Sequence, residues 1–569
     1  MKTSLREQDG VRLAIEGCGH GTLHAIYASV EEACKRKEWP DVDLLVIGGD
    51  FQSVRNAYDL NCVSMPAKYR SMCDFHEYYS GQRTAPYLTI FVGGNHEASN
   101  YLFELYYGGW VAPNIYYMGA ANVLRLGPLR ITGMSGIWKG YNYRKPHHER
   151  LPYNESDLRS IYHTREVDIR KLMQIRTQID IGISHDWPKG VEWKGNSQQL
   201  FRYKGHLEDD ARSGQLGSVA AQQVMDRLRP RYWFSAHLHC KYAAVVNHDE
   251  GREGSQSLPA THGNAAATKN DNEIDLDGEM VENGHDATAV PGNADEIDLE
   301  LDDDVDGIAT VAPGQGLDGA QVSEKGDAAS AGSVLSAEEA RAALPEAFRS
   351  RPPPAQEVTE HPQGIANKTT HFLALDKCMP SKDFLQLMSV PSSEPTTGGR
   401  PFKLEYDREW LAITRAFATS EPTVLGDANA VIPRAKSQAE YKGLIDTQRQ
   451  WIDENLENKD LIIAEDFTAI APVYDNGNWN LPQYSRVEEY PNPQTAKFCE
   501  LLQMPNPLAI SDEQRAARLE AGPKSDPDAE RFSANRGRGG FGRGRGGGGG
   551  DRGRGRGRGR GQGRGRGRG

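Results

Sequence analysis

Metal-binding side chains stand in five short stretches near the beginning of the chain, and each stretch directly follows an apolar run. The stretches read GCGH (17–20), GGDFQ (48–52), GGNHE (93–97), ISHDWP (183–188) and SAHLHCK (235–241). A β-strand that ends in a Gly-rich or polar turn would place its donor side chain at an edge of a sheet. The five stretches therefore predict a group of donors along one edge.

The types of these side chains suit a pair of divalent metal ions. Two ions roughly 3.5–4 Å apart can hold the attacking and leaving oxygens of a displacement at phosphorus and lower the pKa of a bound water. Such a pair needs one bridging carboxylate, with imidazoles and harder oxygen donors around it. Asp50 is the expected bridge, and the other candidate ligands are Cys18, His20, Asn95, His185, His237 and His239. A lone histidine is more often an ordinary core or surface residue, but five donor stretches in order predict a dinuclear phosphoesterase.

The order of these motifs resembles that of the calcineurin-like metallophosphoesterase superfamily. GGD (48–50), GGNHE (93–97) and the single His of SHDWP (184–188) match its pattern. Cys18 stands where that family has its first Asp, and Ala236 stands where it has the Gly before His-x-His.

A closer resemblance, to RNA lariat debranching enzymes, rests on Cys18 and on longer stretches. These are FQSVRN (51–56), GGNHEASN (93–100), YGGWVAPNIYYMG (107–119), GISHDWP (182–188), YWFSAHLHCK (232–241), FLALDKCMPSKDFLQ (372–386) and LEYDREWL (404–411). The resemblance spans about residues 10–247 and 368–505. The last two stretches are similar to the C-terminal domain of that family.

The resemblance implies a metal-dependent phosphodiesterase that cleaves the 2′–5′ bond of branched, excised intron lariat RNA, so that the intron is linearised and degraded. It also implies a nuclear location and splicing or RNA-decay factors as partners. By the family's pattern, Cys18, His20, Asp50 and His239 would hold one ion, and Asp50, Asn95, His185 and His237 the other. A soft thiolate favours Fe(II) or Zn(II) over Mg(II) at the first site, with Mn(II) as a further candidate.

His96 lies between a predicted ligand and an acidic residue, and it is the expected catalytic residue. An unperturbed histidine has a pKa of about 6.5, which suits a general acid that protonates the departing oxygen. The alternative is that His96 only orients a ligand.

Residues 138–166, here called the aromatic–basic segment, interleave Tyr side chains with Lys and Arg. Aromatic rings stack on unpaired bases and cations contact phosphates, which is typical of single-stranded nucleic-acid binding. The alternative is a solvated loop and helix with ordinary packing. The candidate substrate contacts are Arg55, Trp138, Lys139, Tyr141, Tyr143, Arg144, Lys145, Tyr153, Arg159 and Tyr162.

Composition divides the chain of 569 residues into four parts. We expect a catalytic domain at 1–247, a disordered acidic insert at 248–366, a C-terminal α+β domain at 367–505 and a disordered tail at 506–569. The insert has few aromatics and carries fifteen acids and no Lys or Arg over 271–306, so it buries too little apolar surface to fold. A helix at 338–348 is the alternative within it.

The tail ends in Arg-Gly repeats, with twelve Arg over 536–569. Its glycines oppose a stable fold, and its arginines can neutralise phosphates and stack on bases. Non-specific RNA binding is its predicted role, against a solubilising or targeting tail.

Alternating strands and helices predict an α/β fold for the catalytic block. Strands at 11–17, 43–50 and 87–97, with a helix at 23–35, indicate βαβ units. Strands at 129–138, 180–186 and 231–239 fit a second sheet, which agrees with the two-sheet sandwich flanked by helices that the resemblance implies. The C-terminal block is expected to dock on the catalytic half, or else to bind a partner.

Seven scattered cysteines without a CxxC pair favour a reduced compartment. No signal-peptide pattern opens the chain and no apolar run approaches the ~18 residues of a membrane span, so we expect no membrane association. Two other functions remain open from the residues alone. They are a different metallophosphoesterase, such as a protein phosphatase or DNA nuclease, and an RNA-binding scaffold with a vestigial metal site.

Overall fold

The structure, a computed structural model, describes residues 10–249, 361–391, 399–457, 459, 461–475 and 487–525. Most of the predicted acidic insert, the alternative helix at 338–348 and the Arg-Gly repeats lie outside the described residues. No helix in the described ranges is long and apolar enough to cross a membrane.

The described chain forms two mixed β-sheets with helices around them, which confirms the predicted fold class. The strands are β1 Val11–Glu16, β2 Leu44–Ile47, β3 Thr89–Phe91, β4 Gly109–Ala112, β5 Ile115–Tyr117, β6 Ala121–Leu126, β7 Leu129–Met134, β8 Ile181–Ser184, β9 Tyr232–Ser235, β10 Tyr242–Asn247, β11 Thr369–Ala374, β12 Leu385–Val390 and β13 Leu404–Tyr406.

The first sheet has the order β12-β1-β2-β3-β5-β4, and the second has the order β10-β11-β9-β8-β7-β6-β13. β1, β2, β3 and β5 run parallel, as do β11, β9, β8 and β7, while antiparallel strands close the edges. The predicted early strands fall in the first sheet and the predicted later strands in the second. Each sheet therefore has a parallel centre whose carboxyl ends can carry donors.

Helices cover the outer faces of both sheets. They are α1 Leu23–Arg36, α2 Phe75–Tyr79, α3 Ser99–Glu104, α4 Gly140–Tyr143, α5 Glu155–Ser160, α6 Glu166–Leu172, α7 Ser197–Tyr203, α8 Leu207–Ser213, α9 Val219–Leu228, α10 Arg408–Ser420, α11 Gln438–Leu456, α12 Pro493–Leu501 and α13 Asp512–Ala521. The predicted helix at 23–35 is α1. The expectation of disorder over 506–569 is wrong for its first part, because α13 forms there with a capping box between Ser511 and Gln514.

The sandwich follows from the two-residue period of its strands. In β1, Leu13 and Ile15 belong to the core between the sheets, whereas Ala14 packs beneath the helices on the outer face. In β9, Phe234 points into the same central core and Trp233 points to the opposite face. Strands that are apolar on both faces are buried in a middle layer, as expected for helix-covered sheets.

The C-terminal block of the sequence is built into both sheets. β11 lies between β10 and β9, β12 pairs with β1, and β13 pairs with β6. The two blocks that the sequence separates by more than a hundred residues therefore share their hydrogen-bonded framework, which is a closer union than surface docking.

Arg130 on β7 joins the C-terminal block to the second sheet through buried charges. Its guanidinium donates to both carboxylate oxygens of Asp407 at 2.8 Å and to Glu409 at 3.0 Å. All three residues are buried. Although burial raises the pKa of a carboxyl, the hydrogen bonds and charge of Arg130 hold the pKa of Asp407 below its ordinary value.

We expect Arg130→Leu to lower the free energy of unfolding by about 3–5 kcal/mol, because Glu409 would remain buried without a cation and Asp407 would keep only the exposed Arg125. Urea denaturation measures the change. The control is Arg212→Leu, which removes an exposed pair with Glu208 and should change stability by less than about 1 kcal/mol. Equal losses in the two variants would show that the buried network does not join the blocks.

Candidate metal centre

The structure brings the seven predicted ligands together at the carboxyl ends of the parallel strands. Each donor follows its strand within a few residues. β1 leads to Cys18 and His20, β2 to Asp50, β3 to Asn95, β8 to His185, and β9 to His237 and His239. Because both sheets present these ends on the same side, donors from five separate stretches meet in one place.

The first ligand set consists of Cys18, His20, Asp50 and His239, whose donor atoms all lie within 4.8 Å of one another. Nε2 of His20 lies 3.1 Å from Nε2 of His239. The backbone N–H of His237 donates to Sγ of Cys18 at 3.2 Å. A hydrogen bond to sulfur stabilises a thiolate, so Cys18 is placed as a ligand instead of an inert core side chain.

The second ligand set consists of Asp50, Asn95, His185 and His237. Nε2 of His185 lies 3.3 Å from Oδ1 of Asn95 and 3.4 Å from Oδ1 of Asp50. The rings of His185 and His237 have centroids 5.0 Å apart. Nδ1 of His185 lies 3.0 Å from the Gly48 carbonyl, which fixes the ring so that Nε2 carries the lone pair on the ligand side.

Asp50 belongs to both sets and turns a different oxygen to each. Oδ2 lies 3.8 Å from Nε2 of His20, and Oδ1 lies 3.4 Å from Nε2 of His185. Although burial raises the pKa of a carboxyl, the nearby His185, His96 and His20 hold the pKa of Asp50 well below its usual range. Asp50 is therefore an ionised carboxylate in the position of a bridge.

The donor set fits two divalent ions. Two ligand atoms bound at about 2.1 Å with a tetrahedral angle are about 3.4 Å apart, close to the separations around His185. Burial lowers the pKa of His20 to about 4 and that of His237 to about 3, and it lowers the pKa of His239 still further. These imidazoles are neutral near pH 7 and offer lone pairs to a cation.

The ligand loops hold strained backbone. His20, Asp50, His237 and His239 all have left-handed φ angles, between 40° and 64°. Such angles in non-glycine residues cost of order 1 kcal/mol each and persist only where the surroundings enforce them. One enforcing contact is the 2.6 Å hydrogen bond from the His20 N–H to the Asp50 carbonyl, which ties the loops after β1 and β2 together.

Glycines in the motifs make room for the ligands. A Cβ on Gly49, whose φ is +125°, would lie 2.3 Å from Nδ1 of His185, and a Cβ on Gly94 would lie 2.2 Å from Oδ1 of Asp50. Ala236, the departure from the superfamily motif, packs its methyl group against Gly48, which has no side chain.

Glu97 is a functional residue that reasoning from the sequence did not assign. Its carboxylate accepts hydrogen bonds from the backbone N–H groups of Phe51, Gln52 and Gly94, at 2.8–2.9 Å. It therefore fastens the loop after β2 to the loop after β3, which carry Asp50 and Asn95. The available signal in the sequence was that Glu97 directly follows Asn-His in the third motif.

His96 lies at the same site without joining either ligand set. Its backbone N–H donates to Oδ1 of Asp50 at 2.9 Å. Nδ1 of its ring lies 3.2 Å from the Ser64 carbonyl, and Nε2 lies 3.1 Å from Nδ2 of Asn95. If Nδ1 donates to Ser64, Nε2 is the nitrogen turned toward the ligands.

Comparisons with known proteins agree with this geometry. The calcineurin-like phosphoesterase family matches residues 11–241, and the C-terminal domain of lariat debranching enzymes matches residues 367–507. The lariat debranching enzyme of Schizosaccharomyces pombe is 37% identical over 493 residues, which cover 86% of this chain and 95% of that protein. The chain belongs to the lariat debranching enzyme family. The enzyme of that name in Arabidopsis thaliana is 35% identical and covers 87% of both chains, and the one in Homo sapiens is 36% identical over 86% of this chain and 68% of its own length.

Family membership makes this chain a metal-dependent hydrolase, and the aromatic–basic segment borders its metal centre. A small cavity of about 70 Å³ lies between the segment and the loop after β3, lined by Gly94, Tyr162 and Arg165 among others. Tyr141 is 64% exposed, and Arg144, Lys145 and Arg159 are also exposed.

The other predicted contacts in the segment are partly buried. The rings of Trp138 and Tyr143 pack together with centroids 4.8 Å apart. Tyr153 packs against a small cluster around Leu151, and the Tyr162 hydroxyl lies 3.3 Å from Oγ of Ser64. Lys139 is partly exposed beside the metal centre.

The segment is held in shape by a buried ion pair. Arg165 and Glu149 are both 0% exposed, and Nη2 of Arg165 lies 2.5 Å from Oε1 of Glu149. The Arg165 guanidinium also donates to the carbonyls of Asn142 and Ser160 at 2.9 Å. The segment is therefore ordered by its own packing, as the alternative of a loop and helix with ordinary packing also expects.

The expectation that Arg55 contacts substrate is corrected by the structure. Arg55 is 0% exposed and is enclosed by Asp59 and Glu104, with guanidinium–carboxylate distances of 2.8 Å and 3.1 Å. Its cation lies 4.1 Å from the ring centroid of Tyr101. Arg55 therefore has a structural role near the metal centre, because its charge is neutralised by buried carboxylates inside the protein.

We expect Gly94→Ala to weaken metal affinity by about 10–100-fold or more, because the new methyl group would displace Asp50. Elemental analysis of purified protein measures the bound metal. Gly443→Ala is the matched control, since its Cβ in α11 would meet nothing within 4 Å. Full metal content in Gly94→Ala would contradict the placement of Asp50 as the shared ligand.

Proposed function

We propose that this enzyme hydrolyses the 2′–5′ phosphodiester bond at the branch point of excised intron lariat RNA, which allows the intron to be linearised and degraded. The observation that carries the proposal is the pair of ligand sets joined by Asp50, with Cys18 in the first, in a chain of the lariat debranching enzyme family. Branched RNA is the substrate that the names of the relatives support.

The two ligand sets would hold two divalent ions, which in such sites polarise phosphoryl oxygens and activate water. Cys18 contributes the softest donor of the set, and three of the four imidazoles have lowered pKa values. Thiolate and neutral imidazole favour Fe(II) or Zn(II), with Mn(II) able to use the oxygen-rich second set. Asn95 and Asp50 give that second set its oxygens.

His96 is proposed as the general acid. Its Nδ1 lies 3.2 Å from the Ser64 carbonyl, and its Nε2 accepts a hydrogen bond from Nδ2 of Asn95 at 3.1 Å. In the imidazolium form, Nε2 would give up that contact and pass its proton to the departing ribose oxygen, which is a poor leaving group unless it is protonated. The hydrogen bond from the His96 N–H to Asp50 keeps the ring in register with the ligands.

The aromatic–basic segment is proposed to bind the RNA around the branch. Its exposed Tyr141 offers a face for an unpaired base, and Arg144, Lys145 and Arg159 offer charge for phosphates. The segment borders the loop after β3, which carries Asn95 and His96, so a branch nucleotide bound to its exposed side chains would lie close to the metal centre. Holding that nucleotide in one orientation is what selects a 2′ bond over a 3′ bond.

The Arg-Gly tail is proposed as a further, non-specific RNA contact. The last described residues lie against the aromatic–basic segment, since Nζ of Lys524 donates to the His148 carbonyl at 2.6 Å and the Lys524 carbonyl accepts from Asn154 at 3.2 Å. Lys524, which precedes the repeats in sequence, therefore lies beside the proposed RNA surface. A nuclear location and contacts with splicing or RNA-decay factors are proposed from the nature of the substrate.

The function is tested by comparing three substrates: a branched RNA, a linear RNA of the same sequence, and bis-p-nitrophenyl phosphate. We expect cleavage of the branch without cleavage of the linear RNA. Similar rates on all three would favour a general phosphoesterase, and binding without turnover would favour a scaffold protein.

We expect His96→Ala to lower kcat on branched RNA by about 10²–10⁴-fold. The kcat on bis-p-nitrophenyl phosphate should fall far less, because its leaving group departs without a proton. Metal content should remain, and exposed His206→Ala serves as the control. A loss of bound metal in His96→Ala would instead support the ligand-orienting role.

Removal of residues 536–569 should weaken RNA binding and reduce its salt dependence, because each phosphate contact contributes about 0.7 to the slope of log K against log salt for a single strand. The rate at which the enzyme–RNA complex cleaves its RNA should not change. An unchanged slope would rule out the tail as an RNA contact.

A further inference from the structure

The C-terminal block reaches the metal centre directly. β11 runs parallel to β9 with Ala374 opposite Ser235, so both strands end at the same edge. The chain then continues beside Cys18. The Cys18 N–H donates to the Asp376 carbonyl and the Cys378 N–H donates to the Cys18 carbonyl, both at 3.3 Å. Lys377 is the residue between these two hydrogen bonds and forms a parallel bridge with Cys18.

This backbone contact is fixed from both sides. A Cβ on Gly17 would lie 2.1 Å from the Asp376 carbonyl, so the strands approach this closely only because Gly17 has no side chain. The Gly17 N–H also donates to the Phe384 carbonyl at 3.1 Å. Lys377 therefore has a defined place next to a predicted metal ligand, on a segment clamped at both ends.

The side chain of Lys377 is partly exposed and has no counter-ion within the described ranges. Among those residues, only its backbone N–H makes a hydrogen bond, to Asp376 at 2.8 Å. Its backbone lies against that of Cys18, so its charge stands next to the first ligand set. Lys382, on the same segment, differs because its ammonium lies 3.9 Å from the Asp376 carboxylate.

A lysine without a carboxylate partner, at the rim of a buried site, attracts an anion strongly because little solvent screens it. An ammonium is a compact charge that suits a phosphate oxygen. Lys139 of the aromatic–basic segment follows Trp138, whose N–H donates at 3.0 Å to the carboxylate of Asp186, the residue after His185 of the second ligand set. Each ligand set therefore has one lysine beside it, from a different block of the chain.

We propose that Lys377 binds a non-bridging oxygen of the RNA phosphate next to the scissile one, so that the C-terminal block supplies part of the substrate site. The proposal rests on the proposed function, because it needs an RNA chain that runs past the metal centre. It gives the C-terminal block a role in recognition beyond completing the two sheets.

The test compares Lys377→Met, Lys377→Arg and the control Lys382→Met in the full chain loaded with metal. We expect Lys377→Met to raise KM for branched RNA by about tenfold or more and to reduce the salt slope of RNA binding by about 0.7. Lys377→Arg should retain the slope because it retains the charge. KM for bis-p-nitrophenyl phosphate, which has no neighbouring phosphate, should change much less than KM for RNA.

Unchanged KM and salt slope in Lys377→Met would overturn the proposal. So would a loss of bound metal, or an equal loss on both substrates, since either result would place Lys377 at the metal centre itself. Failure of the unaltered enzyme to cleave branched RNA, with the small diester still hydrolysed, would instead refute the proposed function.

Discussion

The carboxylate of Asp50 is the group on which the rest of the site depends. It is 1% exposed, and its two oxygens face two different sets of donors. A buried carboxylate without compensation would be costly, and here the compensation is the histidines around it and the N–H of His96. The placement of the nearby glycines, the hydrogen bonds of Glu97 and the left-handed ligand residues all follow from the need to hold this one group between two cations.

The sandwich supplies the rigidity that this placement requires. Four ligands have backbone angles that an isolated loop would not keep, and they keep them because each follows a strand buried in the middle of the protein. The C-terminal block adds to this rigidity, since β11 and β12 extend the two sheets directly beside the strands that carry His237 and Cys18. The metal centre and the framework are thus products of both blocks, which the two family matches cover separately at residues 11–241 and 367–507.

The proposed RNA surface combines contributions from two parts of the chain. The aromatic–basic segment is ordered by the buried pair of Arg165 and Glu149 and leaves cationic and aromatic side chains exposed. Lys377 lies beside Cys18 and comes from a distant part of the sequence. A surface of this kind can hold a branched substrate by several of its strands at once, which a single flat basic patch would do less selectively.

The ligands could be predicted from the sequence because each one depends on a local pattern: an apolar run makes a strand, and the polar residue after it lies at the strand's end. Cys18, Asp50 and His239 were therefore identified without any knowledge of which strands are neighbours. The burial of Arg55 and the position of Lys377 could not be obtained in this way. Arg55 carries a charge that could contact a phosphate, but it is buried in ion pairs with Asp59 and with Glu104, which lies far from it in sequence. Lys377 reaches the metal centre only because β11 inserts between β9 and β10. The sequence by itself determined the chemistry of the donors, whereas the tertiary structure decided which charges stay free to meet RNA, because pairing between distant strands sets burial and no local pattern encodes it.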